Sequence, residues 1–169
     1  MIRVGKIVAT HGLGGAVIMT HIAADSKWLK KGQALMVEMQ KGSFIPYFVA
    51  EFKINNGKEF VINLEDLGTI EQSKRLVAKS VYVDEEILAA YAKQSPLLWI
   101  GFTLTDVNHG LLGTIEDVMQ TTNQWLGKLM YEGKEVLIPL IEPILKEVNI
   151  RSKRLIVELP HGLLEVYLD

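Results

Sequence analysis

Five residues between two apolar runs, His11-Gly12-Leu13-Gly14-Gly15, constrain the fold of this chain more than any other segment. Val4, Ile7 and Val8 precede them, and Ala16, Val17 and Ile18 follow. The stretch Val4 to Val17 therefore reads as a strand, a glycine-dense turn and a returning strand. Glycine accepts the positive φ that such a turn demands and that side chains resist. The segment is no phosphate cradle. Gly5 to Gly12 is not followed by Lys-Ser or Lys-Thr, and no helix opens there to hold phosphate at its N-terminus.

Strand signals continue through the first half. Arg3 to Thr10 and Ala16 to Ile22 are followed by a polar segment, Ala23 to Gly32, anchored by Trp28-Leu29. Ala34 to Gln40 alternates as a half-buried strand should. Lys41-Gly42 turns the chain into Phe44 to Ile54, where Pro46 predicts an edge position or a bulge. Asn55-Asn56-Gly57-Lys58 predicts a type I′ hairpin turn, since Asn-Gly readily takes left-handed conformations. Glu59 to Leu64 returns, Ile70 to Leu76 makes a short helix, and Tyr82-Val83 is a last strand. Short antiparallel strands at regular spacing favour a small closed barrel.

Asp84 predicts a cap for a helix over Glu85 to Lys93, which Ser95-Pro96 stops. Beyond it the chain is again mostly β. Leu98 to Val107 turns at Asn108-His109-Gly110, and Leu112 to Met119 comes back. Trp125 to Tyr131 and Lys134 to Leu140 flank a tight Glu132-Gly133 hairpin. Pro143 to Val148 reads as a short helix or extended segment, Arg154 to Leu159 as a strand, and Pro160-His161-Gly162 turns into Leu163 to Leu168. The fold class is all-β: two small β-barrels joined by a short linker, with few short helices. The predicted limits are a first barrel over 1–84, a linker with a short helix over 85–97 and a second barrel over 98–169.

Composition narrows the function classes. At 169 residues and 49% hydrophobic, the chain can fill the cores of two small domains. The apolar runs are strand-sized, so no membrane partner is expected, and no apolar segment or cleavage site follows Arg3 and Lys6 as in a signal peptide. With no cysteine there is no disulfide, thiolate metal site or cysteine nucleophile, which fits a reducing cytoplasm. His11, His21, His109 and His161 stand at no metal-ligand spacing, so no metal is expected. Residues 1–84 carry 11 Lys and Arg against 8 Asp and Glu, and residues 85–169 carry 7 against 12. That asymmetry suggests a mildly basic module and an acidic one.

Nothing in the pattern reads as catalytic. Glu65-Asp66, Glu85-Glu86 and Glu116-Asp117 read as capping or solvated pairs, and neighbours on a strand point to opposite faces. A hydrolase or isomerase would need Glu116 to converge with the distant His109. Candidate contacts with RNA phosphate or a protein carboxylate are His11 and Gly12 at the turn with nearby Lys6, and Lys27, Lys30 and Lys31 around Trp28 are candidates for RNA. The structural alternatives are a histidine serving the turn backbone and a tryptophan sealing the barrel beneath snorkelling lysines. Leu97-Leu98-Trp99 begins the second core or, left exposed, anchors a partner.

Four segments carry a resemblance to the RimM ribosome maturation factors. GKIVATHGLGGAV resembles the family's opening hairpin, and EDLGTIEQSKRLVAKSVYV the segment that closes its first barrel. WIGFTLTDVNHGLLGTIEDV is similar to the start of a PRC-barrel domain, and GKEVLIPLIEPILKEVNIRSKRLIVELPHGLLEVY to its remainder. The resemblance implies a non-enzymatic, cytoplasmic assembly chaperone for the head of the small ribosomal subunit. It implies a role in 16S rRNA processing, binding to ribosomal protein S19 and to free small subunits, no cofactor, and a monomer. Many members carry a Tyr-Tyr-Trp triplet before the second barrel, linked to ribosomal-protein binding. Aligned on Gly101, Gln94, Ser95 and Pro96 stand there; a short gap matches Leu97, Leu98 and Trp99 instead, of which only Trp99 keeps its type. On that reading Leu97, Leu98, Trp99 and Gly101 face the ribosomal protein. The alternative is a PRC-barrel adaptor for a different protein complex.

Overall fold

A computed structural model describes residues 1–23 and 25–169, in two units, Met1–Tyr91 and Ala92–Asp169. In the first, β1 (Ile2–His11), β2 (Ala16–His21), β3 (Ala34–Gln40), β4 (Ser43–Asn56), β5 (Glu59–Leu64) and β6 (Ser80–Val83) close a barrel in the order β1-β2-β5-β4-β3-β6. These strands lie within a residue or two of those read from alternation, because one face of each must be apolar to fill the barrel. Val4, Met19, Val37, Val49, Phe60, Ile62 and Val81 form that filling, fully buried.

Trp28 closes the barrel from the loop between β2 and β3. Its ring meets Phe60 edge-on at 5.7 Å, while His21 stacks on Phe60 at 4.4 Å. With 1% of its surface exposed, Trp28 is a seal and not a stacking platform. Pro46 lies in the half of β4 that pairs with β3 alone, for the β4–β5 ladder begins at Val49↔Leu64. Its missing N–H therefore costs no ladder bond on the open side.

The Asn55–Lys58 turn differs from expectation. Neither Asn56 nor Gly57 is left-handed. The Asn56 side chain accepts from the Lys58 N–H at 2.9 Å and both Asn55 and Asn56 amides donate to Glu59, so side-chain hydrogen bonds shape the turn. The short helix α1 (Ile70–Lys74) follows β5. Asp84 caps α2 (Glu85–Leu88) by accepting from the Glu86 N–H at 3.2 Å. That helix stops at Leu88 instead of reaching Lys93, and a 3₁₀ turn over Ala92–Gln94 replaces its last part.

The second unit holds two sheets. The strands β7 (Thr103–Asp106), β8 (Gly110–Thr114), β9 (Asp117–Gln120), β10 (Trp125–Tyr131), β11 (Lys134–Pro139), β12 (Leu145–Asn149) and β13 (Arg154–Val157) are followed by a terminal helix, α3 (Glu165–Leu168). They order as β11-β10-β9 and β12-β13-β7-β8, and β13 runs parallel to β7. The expected strand over Leu98 to Val107 is a 3₁₀ turn, Pro96–Trp99, followed by β7. Leu112 to Met119 is two strands, because the chain changes sheets at Ile115-Glu116. There the Ile115 N–H donates to Phe102 and the Glu116 N–H to Lys128. Among the described residues no helix is long and apolar enough to cross a membrane.

Candidate functional site

The glycine turn is fastened to the barrel by α1. Gly15 has φ +78°, and a Cβ there would lie 2.8 Å from the Thr69 carbonyl oxygen and 2.9 Å from its nitrogen. The Ser73 hydroxyl donates to the Gly15 carbonyl. Thr69 in turn is held by a capping box with Gln72, whose side chain accepts from the Thr69 and Gly68 N–H groups at 3.2 and 2.9 Å. The glycine is thus required by close approach as well as by φ. The turn holds His11, Gly12, Leu13 and Gly14 in solvent, Leu13 with 87% of its surface exposed.

Behind His11 lies a groove of 600 Å³ on the outside of β4 and β5. Lys31, Lys53, Asn55 and Asn63 line it with His11, and Glu51 is the acid among them. Lys31 is carried there by a loop bonded to β4. Gly32 N–H donates to Val49 O at 2.7 Å, and Val49 N–H donates to Gln33 O at 3.0 Å. Two ammonium groups, an imidazole and two amides on one face can engage phosphates and a base edge together.

Of the residues singled out in sequence, the structure brings only His11 and Lys31 together in this groove. Lys6 stands exposed on β1 between Thr20 and Ser80, and Gly12 is exposed at the turn. Lys27 extends into solvent with its ammonium 4.0 Å from Asp25, and Lys30 is exposed. Sequence reading missed Lys53, Asn55 and Asn63. The signal for Lys53 was its place among exposed residues along β4, whereas Asn55 was absorbed into the turn.

In the second unit, the expectation that Leu98 and Trp99 face a partner is corrected. Leu98 and Trp99 are core, 3% and 0% exposed, and the indole N–H of Trp99 donates to the Ala92 carbonyl at 2.8 Å. A 3₁₀ turn rolls both side chains inward, so neither can anchor a partner. Leu97 is half-buried, Gly101 is exposed, and the exposed apolar side chain is Ile100.

The pairing of His109 with Glu116 does not form. His109 Nδ1 lies 2.6 Å from Asp106, and its Nε2 lies 4.0 Å from Glu165 on α3. Asp106 is buried, yet it accepts from the backbone N–H groups of Asn108, His109 and Leu159 at 2.8 to 3.0 Å. Burial alone would raise its pKa. The hydrogen bonds from Leu159, from the His109 ring and from the two turn amides together hold it below the usual carboxylate range. Asp106 and His109 therefore organise the β7–β8 turn. No group of three or more His, Asp or Glu among the described residues is placed to hold a metal.

The units differ in charge in the expected direction, but less than the halves of the sequence do. The first carries eleven basic against ten acidic side chains, the second seven against ten, because Glu85 and Glu86 belong to the first.

Comparison with known proteins covers both units. Residues 2–88 match the RimM N-terminal domain family, and residues 99–163 match the RimM PRC barrel domain family. A protein of Parabacteroides distasonis named ribosome maturation factor RimM is 31% identical, over 97% of this chain and 95% of its own. Its namesake in Bacteroides thetaiotaomicron is 29% identical over 97% and 92%. A Pseudomonas aeruginosa crystal structure bearing the RimM name aligns with a TM-score of 0.48 at 16% identity, covering 94% of this chain and 97% of that one.

Proposed function

This chain belongs to the RimM family of ribosome maturation factors, and from that premise we propose that it is an assembly chaperone for the head of the small ribosomal subunit. The observation that carries the reading is the presence of both family domains, in order, over 2–88 and 99–163. It works in the cytoplasm as a monomer, binds ribosomal protein S19 and free small subunits, and promotes 16S rRNA processing. No covalent step is involved. By binding a near-native arrangement of protein and RNA more tightly than its alternatives, it shifts the population toward that arrangement.

The groove at His11, Lys31 and Lys53 takes rRNA. The more acidic second unit meets the basic ribosomal protein through the exposed Ile100-Gly101 turn, and charge complementarity speeds the encounter. Cosedimentation with purified subunits tests this. The chain is expected with free small subunits and absent from translating ribosomes. Ile100→Asp is expected to lose capture of S19, and Lys31→Glu with Lys53→Glu to lose binding to naked rRNA. Failure to bind either component, with precursor processing at the normal rate in cells lacking the protein, would overturn the proposal.

A further inference from the structure

The outside of β4, β3, β6 and β1 carries aromatic surface that neither the barrel core nor the groove uses. Register places Pro46, Met36, Tyr82 and Arg3 in one row across the four strands. Phe48 opposite Ala34 makes the row on one side, and Phe44 opposite Glu38 the row on the other. The Phe44 ring meets Tyr82 edge-on at 5.0 Å, and the Tyr82 hydroxyl donates to Glu38 at 3.0 Å, so these side chains share the outer face. Phe48 is 44% exposed, Pro46 is exposed beside it, and Arg3 is exposed at the far side of the wall.

Charge is distributed across this wall in a definite direction. Arg3 and Lys6 stand on β1, and Lys41 in the β3–β4 turn. The carboxylate of the three rows, Glu38, is already occupied by Tyr82 and by the Gly42 N–H at 3.0 Å. Strands in a sheet lie about 4.8 Å apart, so the β1 cations stand roughly 5 Å from the Tyr82 column and roughly 14 Å from the β4 column. A cationic rail therefore runs beside an aromatic bench. That is the division of labour single-stranded nucleic acid needs, with phosphates on cations and bases on rings.

We propose that this wall is a stacking platform for single-stranded RNA, with phosphates along Arg3 and Lys6 and bases over Tyr82, Phe44 and Phe48. The platform rests on the rRNA reading above and adds a second contact surface to it, separate from the groove at Lys31 and Lys53. An apolar protein surface would use Phe48 and Pro46 equally well but would leave the β1 cations without a role.

The test uses the full chain and a short, unstructured, labelled oligouridylate. Phe48→Leu keeps the apolar bulk and removes the π face. It is expected to weaken binding about fivefold or more, and Phe48→Ala with Phe44→Ala roughly a hundredfold. Arg3→Ala and Lys6→Ala are each expected to lower the salt slope by about 0.7. Ultraviolet crosslinks to the parent chain are expected on the peptides holding Tyr82 and Phe48, and circular dichroism verifies that each variant folds. If Phe48→Leu binds as the parent does and crosslinks fall only at Lys31 and Lys53, the platform is wrong and the groove stands. If the parent binds neither oligouridylate nor rRNA, the rRNA reading fails, and the platform with it. Loss of S19 capture by Phe48→Leu, with RNA binding intact, would mark a protein contact and overturn the platform.

Discussion

The hydroxyl of Ser73 donates to the carbonyl of Gly15, joining α1 to the turn that opens the chain across 58 residues of sequence. This bond, and the close approach of Thr69, explain why position 15 is a glycine. Gly15 lets two backbones touch. Gly14, with nothing within 4 Å of a built Cβ and no positive φ, does not have that task. Gly15→Ala is expected to destabilise the first unit by on the order of 2–3 kcal/mol, through strain and collision with Thr69. Gly14→Ala should stay within about 0.5 kcal/mol of the parent. Urea unfolding of the two variants measures the difference.

Trp99 and Ile100 are neighbours with opposite duties. Trp99 is wholly buried and hydrogen-bonded to Ala92, while Ile100 is 44% exposed. Trp99→Ala is expected to cost about 3–5 kcal/mol, the range for emptying a large aromatic site. Ile100→Ser should leave thermal stability within about 0.5 kcal/mol of the parent, since it removes no core packing. Thermal melts of the two variants give the contrast.

Asp106 gives the second unit a dependence on acid. Its carboxyl is held below the ordinary range, so the folded state binds a proton less readily than the unfolded chain does. Its contribution is therefore complete above the unfolded value of about 3.9 and fades as pH falls through the lower folded value. Asp106→Asn leaves backbone donors poorly matched and is expected to cost about 1–3 kcal/mol at neutral pH. Denaturation midpoints followed down from pH 6 should decline less steeply in that variant than in the parent.

His21 acts at milder pH. Burial pushes its pKa down, and the Ala23 backbone and the Asp25 carboxylate pull upward without offsetting that burial. The unfolded chain thus takes the proton first, so stability falls as pH drops below about 6.5 and levels off beneath the folded value. His21→Phe keeps a flat ring against Phe60 and removes the titration. The parent is expected to lose stability between pH 7 and pH 5, and the variant to hold level over that window.

The barrel strands were legible because alternation is set locally. A side chain on β3 or β5 faces the core or solvent by the parity of its position, and Leu35, Val37, Phe60 and Ile62 keep that parity. Apolar runs without alternation were not legible in the same way. Leu97-Leu98-Trp99 has the composition of a strand, a helix turn or a docking patch, and burial against the second unit's own core makes it a 3₁₀ turn. The break at Ile115 likewise depends on Phe102 and Lys128, which offer hydrogen bonds from different sheets.

What the sequence determined by itself was an all-β chain in two parts, its opening glycine hairpin, and a family resemblance that the matches over both units bear out. These rest on short-range chemistry, namely side-chain parity, turn preference and the order of motifs. Only the tertiary structure decided which polar residues meet. His11, Lys31 and Lys53 come from three separate segments, and the register of β4, β3, β6 and β1 sets Phe44, Phe48 and Tyr82 on one wall beside Arg3. The reason is that a surface site costs the fold little. The core dictates where each strand lies, and the outward-facing residues go where their buried neighbours put them.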